Sequence, residues 1–577
     1  MSTKLSNYFS QPASIAQKKY EALRSFFYEN IPAEEVAEKF GYRLSAFYSL
    51  TRDFRKSFGQ EDMFFLMKRA GRREKDSAGN ITTLIINLRK KYLSIPDIKA
   101  ITDARGHKIS EKYIYNILRK EGFDRLPRRP KPDREIRNTR EVIAAPESIA
   151  LSYDQEKFST LNSIGTLCLL PYIKQCGIDK VIAGSLYPQT KSIDRLSSIL
   201  CFVALKLSNV RRYSADDLWC MDRGLGLFAG LNVLPKTAWF SSYSSRITRE
   251  MNLAFLREMH RLWKEQGLLT DTMNLDFTTI PYWGDDDHLE NNWSGKRHTA
   301  LASMLSVLAQ DPDTGIIAYS ETGIRHERQD EVALEFLDFY RVQDNLRYLV
   351  FDSKFTAYEN LRKLEDAGIK FITIRRRGKN IVDRLENLPK TAWKKIRVMN
   401  ADGKGRELKI CEEYVYIKDY GKPVRQVAIT GHGKLKPALI ITNDADIALE
   451  SLIRKYSRRW LIEKGISEQI EFFHLNRVSS SMVIKVDFDL TMTVLAHNLY
   501  RLLAMNLPGY SHNTAETLFE KFLSNSGEVE INRDEIQIKM KKKRNLPALL
   551  TEVEKFKNLR IPWMADKKLV FSGASST

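Results

Sequence analysis

The sequence has few cysteines and no long uninterrupted apolar run, and each absence excludes a class of protein. Five of its 577 residues are cysteines, and they form no CxxC pair and lie near no histidine cluster. This scatter argues against a zinc module or a disulfide framework and fits reduced thiols inside a cell. The most apolar late segment, residues 488–507, is interrupted by Asp489, His497 and Arg501. It therefore predicts a buried helix and no membrane span.

Positive charge is abundant instead. Lysine and arginine total 92 against 72 aspartate and glutamate residues, which gives a net charge of +20. Such a balance favours a polyanionic partner, although ribosomal and membrane-surface proteins share it. The first residues lack the apolar core of a secretion signal, so we expect a cytoplasmic location. The length predicts about three or four domains.

The first predicted domain, residues 1–65, has the layout of a helix-turn-helix. Three short helices are predicted between Gln17 and Phe58, with Pro32 opening the second and Gly41 marking the turn. The third helix would expose a polar face to a DNA groove, formed by Arg43, Ser45, Tyr48, Arg52 and Arg55. A helical hairpin with a solvated basic face is the alternative, and the pattern does not separate the two.

A second, similar domain is predicted over residues 80–125. Ser94 and Pro96 begin one helix, Gly106 marks the turn, and residues 109–120 form the next helix. The residues that would face outward from this helix are Lys112, Tyr115, Asn116 and Arg119. Two such domains in tandem favour DNA binding by both.

Residues 126–150 are predicted to form an extended basic linker. Three prolines lie among arginines that include Arg128 and Arg129. These arginines are candidates for DNA phosphate contacts, although charged proline-rich segments often serve only as linkers.

The remaining chain predicts a helical domain followed by a mixed α/β core. Residues 151–266 show only amphipathic helices, which indicates packing or dimerisation. Over residues 267–375, three strands are followed by alternating helices and strands. Residues 376–445 add strands that resemble an inserted β domain, residues 446–480 return to a helix, and residues 481–577 predict a helical region suited to dimerisation. The predicted fold class is a multidomain α and α/β protein.

Two strand-like runs each carry one carboxylate. Asp276 lies between two apolar residues, so on a strand it faces away from them, where a charge requires a partner or a metal ion. Asp352 ends an apolar run, and ligands gather at such strand ends in α/β sheets. The alternatives are that Asp276 caps a turn at Thr278 and Thr279, and that Asp352 caps the following helix.

A third carboxylate, Glu463, lies in a helical segment. At helical spacing, Tyr456, Arg459 and Glu463 project from one face. An ordinary ion pair between Arg459 and Glu463 is the alternative, but it does not explain the neighbouring Arg458 and Trp460. Three carboxylates brought together by the fold would suit Mg²⁺. Two such ions can activate a nucleophile and stabilise the leaving oxygen of a phosphoryl displacement.

These segments resemble the DDE-type transposases of bacterial insertion sequences. In one subgroup the third acid lies in the pattern Tyr, two residues, Arg, three residues, Glu, six residues, Lys. Tyr456, Arg459 and Glu463 match this pattern, whereas Ile470 replaces the lysine and leaves open whether Lys464 substitutes for it. The LDFTTI stretch and the segment after the second acid also match, so the resemblance covers about residues 267–480.

The resemblance implies an RNase H-like core in which Asp276, Asp352 and Glu463 hold two Mg²⁺ or Mn²⁺ ions. It also implies that Tyr456 and Arg459 contact DNA phosphates near the cut. Trp460 becomes a candidate for holding a flipped base, with core packing as its alternative. The implied protein binds terminal inverted repeats in double-stranded DNA, cleaves and rejoins strands, and acts as a homodimer or higher synaptic oligomer in the nucleoid.

Two other functions share these features. A DNA-binding regulator that has lost catalysis would keep the N-terminal domains, and a metal-dependent nuclease without strand transfer would keep the carboxylates. The presence of all three acids favours an enzyme, whereas Ile470 leaves room for the regulator.

Overall fold

The computed structural model describes most of the chain. The described residues are 14–57, 80–90, 93–123, 126, 150–160, 162–211, 218–282, 289–294, 299–340, 346–399, 405–432, 436–475 and 482–573. They divide into two compact units, Met1–Gly79 and Asn80–Thr577. The predicted basic linker, with Arg128 and Arg129, falls almost entirely on residues 127–149 and lies outside the described residues.

Three short helices form the described part of the first unit. They are α1 (Ile15–Phe27), α2 (Ala33–Lys39) and α3 (Leu44–Ser57). Gly41 forms the turn before α3 with φ +61°, a conformation that glycine adopts without strain. The core between the helices is apolar and consists of Ala22, Ala33, Val36, Ala37, Phe40 and Phe47. The three predicted helices are therefore present, and the side chains predicted to face outward are exposed: Arg43, Ser45, Tyr48, Arg52 and Arg55.

The second unit begins with three further helices, α4 (Asn80–Lys90), α5 (Ile95–Ala104) and α6 (Glu111–Lys120). Ser94 and Asp97 form a capping box at the start of α5, since each side chain bonds the other residue's backbone N–H. Gly106 takes the predicted turn with φ +83°. On α6, Lys112, Tyr115 and Asn116 are exposed as predicted, whereas Arg119 is half-buried.

A helical layer and a large sheet follow. The helices of the layer are α7 (Leu170–Cys176), α8 (Ile178–Gly184), α9 (Arg195–Leu207), α10 (Arg223–Phe228), α11 (Thr237–Ser244) and α12 (Arg249–Glu265). The strands of the large sheet are β2 (Thr272–Pro281), β3 (Asn291–Ser294), β4 (Thr299–Gln310), β5 (Ile317–Ile324), β6 (Tyr348–Phe351), β7 (Lys370–Ile374), β8 (Lys394–Met399), β9 (Gly405–Ile417), β10 (Lys422–Thr430) and β11 (Ala438–Thr442). Helices α13 (Val332–Tyr340), α14 (Tyr358–Asp366) and α15 (Lys379–Glu386) lie between strands in the sequence.

The sheet has the predicted mixture of directions. Its order is β3-β4-β2-β6-β7-β11-β10-β9-β8, with β5 paired to β4. The pairs β2–β6 and β6–β7 are parallel, and the other pairs are antiparallel. Phe336 on α13 and Leu361 on α14 pack in one apolar core with Leu275 of β2 and Phe351 of β6. This packing fixes β2 and β6 beside one another.

The strands predicted as an inserted β domain at residues 376–445 are present, but they do not form a sheet of their own. Strand β11 pairs with β7 through Ile440↔Ile374 and its neighbours, so β8 to β11 extend the core sheet. Ile440 also packs in one core with Val350 of β6. The strands could be predicted from their apolar residues, but a strand pattern does not reveal which neighbour it pairs with.

The predicted helical character of residues 151–266 and 481–577 is also only partly correct. A second sheet has the order β1-β12-β13-β15-β14 and joins the two regions. Its strands are β1 (Glu156–Thr160), β12 (Gly527–Ile531), β13 (Glu535–Met540), β14 (Arg560–Ile561) and β15 (Lys567–Gly573). In β13, Ile536, Ile538 and Met540 are buried at alternate positions, which is the period of a strand.

The remaining helices are α16 (Leu449–Ser457), α17 (Trp460–Glu471), α18 (Val483–Asn506), α19 (Ala515–Leu518) and α20 (Leu546–Val553). Helix α18 is buried along most of its length, which confirms the buried helix predicted for residues 488–507. Among the described residues, the structure contains no helix with the length and apolarity that a membrane crossing requires.

Candidate functional site

Strands β2 and β6 place the first two carboxylates side by side. The last pair in their parallel register is Leu275↔Phe351; Asp276 is the next residue of β2, and Asp352 is the first residue after β6. Adjacent strands lie about 4.8 Å apart, so the two backbones are close where these residues begin. Leu275 is buried in the core, and Asp276 alternates with it and faces the opposite side of the sheet.

The two proposed capping roles have different outcomes. Strand β2 continues to Pro281, so Asp276 lies within a strand and does not cap a turn at Thr278 and Thr279. Asp352 does act as a cap: its Oδ1 accepts a hydrogen bond from the Ser353 backbone N–H at 2.7 Å and begins a short 3₁₀ turn. That turn precedes α14, so Asp352 does not cap the helix itself.

An aromatic stack links the two strand positions. The rings of Phe277 and Phe355 lie parallel, with centroids 4.0 Å apart. Phe277 follows Asp276, and Phe355 ends the turn that Asp352 begins. The stack therefore restrains the position of one carboxylate relative to the other.

The third carboxylate lies on an interrupted helix, and the single helix predicted over residues 446–480 is wrong in this detail. Helix α16 ends at Ser457 and α17 begins at Trp460. Between them the backbone tightens to i→i−3 hydrogen bonds, since the N–H of Arg459 bonds the Tyr456 carbonyl at 3.1 Å. Tyr456, Arg459 and Glu463 thus lie around a turn and not along one continuous face.

Asn274 on β2 stabilises this turn. Its side-chain N–H₂ donates to the Arg458 carbonyl at 3.1 Å. The Arg458 side chain donates to the Pro312 carbonyl at 2.9 Å and pairs with Asp313. Because Asn274 and Asp276 are two residues apart on one strand, they share a face. The same face of β2 thus holds the turn and presents the carboxylate.

Arg459 joins two of the three carboxylates. Its Nη1 lies 2.6 Å from Asp276 Oδ2, and its Nη2 lies 2.9 Å from Glu463 Oε1. The exposed fractions are 7% for Arg459, 13% for Asp276 and 47% for Glu463. The ordinary helical ion pair that was the alternative therefore accounts for the contact between Arg459 and Glu463. It does not account for the buried pair between Arg459 and Asp276 on β2.

The carboxylates also affect one another electrostatically. Burial raises the pKa of Asp276 from its ordinary 3.8 to about 6, Arg459 and the Phe277 N–H counteract this, and Glu463 and Asp352 raise it further. Burial by itself would lower the pKa of Arg459, but the negative groups around it raise that pKa instead, with Asp276 the largest. The ionised carboxylates thus favour a cation among them.

Tyr456 borders the same cluster. Its ring centroid lies 5.8 Å from the Arg459 guanidinium carbon. Burial raises its pKa to about 12, so the phenol is neutral at physiological pH. A neutral hydroxyl beside a guanidinium offers hydrogen-bond donors to an anionic group.

The donor set fits a hard divalent cation in its chemistry. All three groups are carboxylates, and Mg²⁺ prefers oxygen ligands. Two further oxygens near Asp276, Asn274 Oδ1 and Thr278 Oγ1, are buried and have no hydrogen-bond partner in the part of the chain that the structure describes. Among the described residues, however, no three acidic, histidine or cysteine side chains are gathered closely enough to hold an ion. Arg459 lies between Asp276 and Glu463, so it must release them before both can bind one.

Gly465 allows α17 to approach the sheet. A Cβ at this position would lie 3.1 Å from Gln310 Nε2 on β4, closer than most side-chain contacts. Asn274, Thr278 and Gly465 were not predicted from the sequence. Asn274 and Thr278 could have been identified from the strand pattern, because each lies two residues from Asp276 and so faces the same side of β2.

The other predicted site residues are spread over both units. Lys112, Tyr115 and Asn116 lie on α6 of the second unit, and Arg43, Ser45, Tyr48 and Arg52 lie in the first unit. Trp460 is the first residue of α17, but its side chain is outside the described part of the structure, as is that of Lys464. Ile470 is half-buried on α17.

Comparison with known proteins connects this region to transposases. Residues 270–499 match the model of a family described as "Transposase DDE domain". No curated protein matches the chain. A solved structure described as a cryo-EM structure of a piggyBac transposase synaptic complex with hairpin DNA is similar, with 10% identity and a TM-score of 0.35, over 64% of this chain and 82% of that chain. A TM-score this low does not establish a shared fold. The family match includes Asp276, Asp352 and Glu463, so the segment that carries the candidate site is similar to transposase DDE domains.

Proposed function

We propose that this protein is a DNA transposase that binds terminal inverted repeats, cleaves DNA with divalent metal ions and joins the freed ends to a target. One observation carries the proposal. Asp276 and Asp352 follow the last parallel pair of β2 and β6, and Arg459 links Asp276 to Glu463. All of them lie within the segment that matches the transposase DDE domain.

The three carboxylates are the proposed ligands of two Mg²⁺ or Mn²⁺ ions. When bound, such ions supply Lewis acidity for the attacking and leaving oxygens of phosphodiester chemistry. Asp276 contributes a buried carboxylate whose charge is costly without a cation, as its raised pKa indicates. Phe277 and Phe355 keep Asp276 and Asp352 in position.

Arg459 has two proposed roles in sequence. Without ions and DNA, it neutralises Asp276 and Glu463. When ions occupy the carboxylates, its guanidinium is free to bind a DNA phosphate beside the cut, with Tyr456 as a neighbouring donor. We also propose that Trp460 contacts DNA in this region.

DNA recognition is assigned to the exposed helical faces and to the basic segment. The proposed contacts in the first unit are Arg43, Ser45, Tyr48 and Arg52, those on α6 are Lys112, Tyr115 and Asn116, and those in the basic segment that follows α6 are Arg128 and Arg129. Assembly as a homodimer or larger synaptic complex would bring two DNA ends together. We also propose that the chain is related to the subgroup of bacterial insertion-sequence transposases described above, from whose pattern it departs by having Ile470 in place of the lysine.

The experiment uses purified full-length protein, Mg²⁺ or Mn²⁺ and a labelled duplex that carries the DNA flanking its gene. We expect strand-transfer products, and we expect Asp276→Asn, Asp352→Asn and Glu463→Gln to bind the duplex without cutting it. Asp366→Asn is the matched control, because this carboxylate is 60% exposed and pairs only along α14 with Arg362 among described residues. Cleavage without transfer would identify a nuclease, and binding without cleavage by the wild type would identify a regulator.

A further inference from the structure

Helices α4, α5 and α6 share an apolar core with the elements that carry two of the three carboxylates. They were predicted from the sequence as a separate domain, but they belong to the same compact unit as the sheet. Ile85 on α4 and Ile114 on α6 are fully buried and share one apolar core with Ile280 of β2 and Ile462 of α17. Ile280 follows Asp276 on the same face of its strand, and Ile462 precedes Glu463. The three helices therefore share an apolar core with β2 and α17, which carry two of the three carboxylates.

A buried chain of ion pairs crosses the same boundary. Lys90, the last residue of α4, pairs with Glu321 on β5. Arg249 on α12 lies 3.5 Å from Glu321 and 3.0 Å from Asp487 on α18. These four side chains are at most 16% exposed. Charges buried to this degree are costly to separate from their partners.

Glu321 is held in place by contacts with Tyr319, Lys90 and Arg249. The Tyr319 hydroxyl donates to Glu321 Oε2 at 2.6 Å. Burial by itself would raise the pKa of Glu321, but Lys90 and Arg249 outweigh it and hold that pKa below its ordinary value. Glu321 is therefore charged, and the Lys90 ammonium is the partner that comes from the three helices.

A second polar contact lies at the C-terminal end of α6. Glu121 caps the helix, is 6% exposed, and lies 3.6 Å from Arg325 and 4.0 Å from Arg328. Arg325 also lies 3.2 Å from Glu290. The Lys90 pair at the end of α4 and the Glu121 contacts at the end of α6 together restrain the three helices against the rest of the unit.

We infer that the exposed face of α6 and the carboxylate site form one DNA-binding surface of fixed geometry, and that Lys90 is a positioning residue that sets which phosphodiester is cut. The inference rests on the proposed transposase function. Lys112, Tyr115 and Asn116 remain exposed while the opposite side of α6 is buried, so a duplex bound there has a defined register relative to Asp276. A module on a flexible tether would hold the DNA without defining that register.

The experiment compares full-length variants on the same end duplex. Lys90→Met removes the ammonium and keeps an unbranched apolar stem, and Lys90→Met with Glu321→Gln removes both charges of the pair. Lys395→Met is the matched control, since the ion pair of Lys395 with Glu407 at 2.8 Å joins β8 to β9 and both side chains are at least 60% exposed. The readouts are duplex affinity, the distribution of cut positions, and amide hydrogen exchange of residues 80–90 and 93–123.

For Lys90→Met we expect duplex affinity within about twofold of the wild type, because the α6 face is unchanged. We expect faster exchange in the three helices and a roughly tenfold lower share of cuts at the wild-type position. The double variant and Lys90→Arg should recover much of the cut precision. Lys90→Arg keeps a cation beside Glu321, and the double variant removes the Glu321 charge together with its partner. Lys395→Met should behave as the wild type.

Two results would overturn the inference. One is a Lys90→Met variant with faster exchange in α4 to α6 but an unchanged distribution of cuts, which would show that the docked helices do not set the register. The other is unchanged exchange in that variant, which would show that the ion pair does not hold them. Absence of any cut by the wild type would instead refute the proposed function, and the exchange measurement would still decide whether Lys90 holds the helices.

Discussion

Replacing Asp276 by asparagine should change the stability of the metal-free protein in a pH-dependent manner. The carboxyl group is 13% exposed, and burial raises its pKa from 3.8 to about 6. Asparagine has nearly the same shape, can still accept the hydrogen bond from Arg459, and does not titrate. The comparison therefore isolates the free energy of ionising this one carboxyl group.

The raised pKa sets both the sign and the size of the effect. A carboxyl group whose folded pKa exceeds its unfolded pKa stabilises the protein below the unfolded value, and this contribution is lost as the pH rises through the folded value. The difference of roughly 2 pKa units corresponds to about 3 kcal/mol in all. Between pH 4.5 and 7.5, about 2 kcal/mol of it should be lost from the wild type and none from Asp276→Asn.

Calorimetry in the presence of a chelator provides the measurement. For a cooperative unit of about 500 residues, 2 kcal/mol corresponds to a shift in Tm of about 2 °C. The Tm of Asp276→Asn relative to the wild type should rise by that amount from pH 4.5 to pH 7.5, and the Tm of Asp366→Asn should not. If the difference between Asp276→Asn and the wild type is the same at both pH values, Asp276 has an ordinary pKa and the account of its burial fails.

Three further changes have defined outcomes. Arg459→Gln should destabilise the metal-free protein by on the order of 3 kcal/mol, because Asp276 loses its buried cation, and an unchanged unfolding transition would show that the pair contributes nothing. Asn274→Ala should cost about 1 kcal/mol, because the Arg458 carbonyl loses the Asn274 donor and keeps only the Leu461 N–H, and faster hydrogen exchange at the turn between α16 and α17 should accompany it. Lys112→Ala should lower the slope of log affinity against log salt concentration by about 1 for duplex DNA, whereas an unchanged slope would remove Lys112 from the DNA-binding surface.

The position of the carboxylates could be predicted from local sequence patterns. Asp276 and Asp352 follow apolar runs that predict strands, and the pattern of Tyr456, Arg459 and Glu463 indicated Glu463 as the candidate third acid. The strands and helices of residues 267–375 were predicted for the same reason, since their apolar residues follow the period of each element.

The errors concern features that depend on distant contacts. The strands of residues 376–445 look the same whether they form a separate domain or extend the core sheet, because pairing of β11 with β7 is not encoded in either strand alone. Likewise, the turn between α16 and α17 is stabilised by Asn274, which is 184 residues away in sequence. The contact of Arg459 with Asp276 across 183 residues was missed for the same reason.

The docking of α4 to α6 could not be predicted from their own pattern. Amphipathic helices such as α6 show that one face is buried, but not against what. From the sequence, Lys90 is expected to be a solvated basic residue at the C-terminal end of a helix, where a positive charge interacts favourably with the helix dipole. Its pairing with Glu321 becomes visible only in the folded chain.

The central claim is that Asp276, Asp352 and Glu463 together bind divalent ions. Crystals grown with Mn²⁺ and examined by anomalous scattering at the manganese edge test it most directly. We predict anomalous peaks within ligand distance of all three carboxylates, about 2.0–2.2 Å, with two ions roughly 3.5–4 Å apart and with the Arg459 guanidinium displaced from Asp276. Crystals that contain Mn²⁺ elsewhere but none at these carboxylates, with Arg459 still bridging Asp276 and Glu463, would contradict the account.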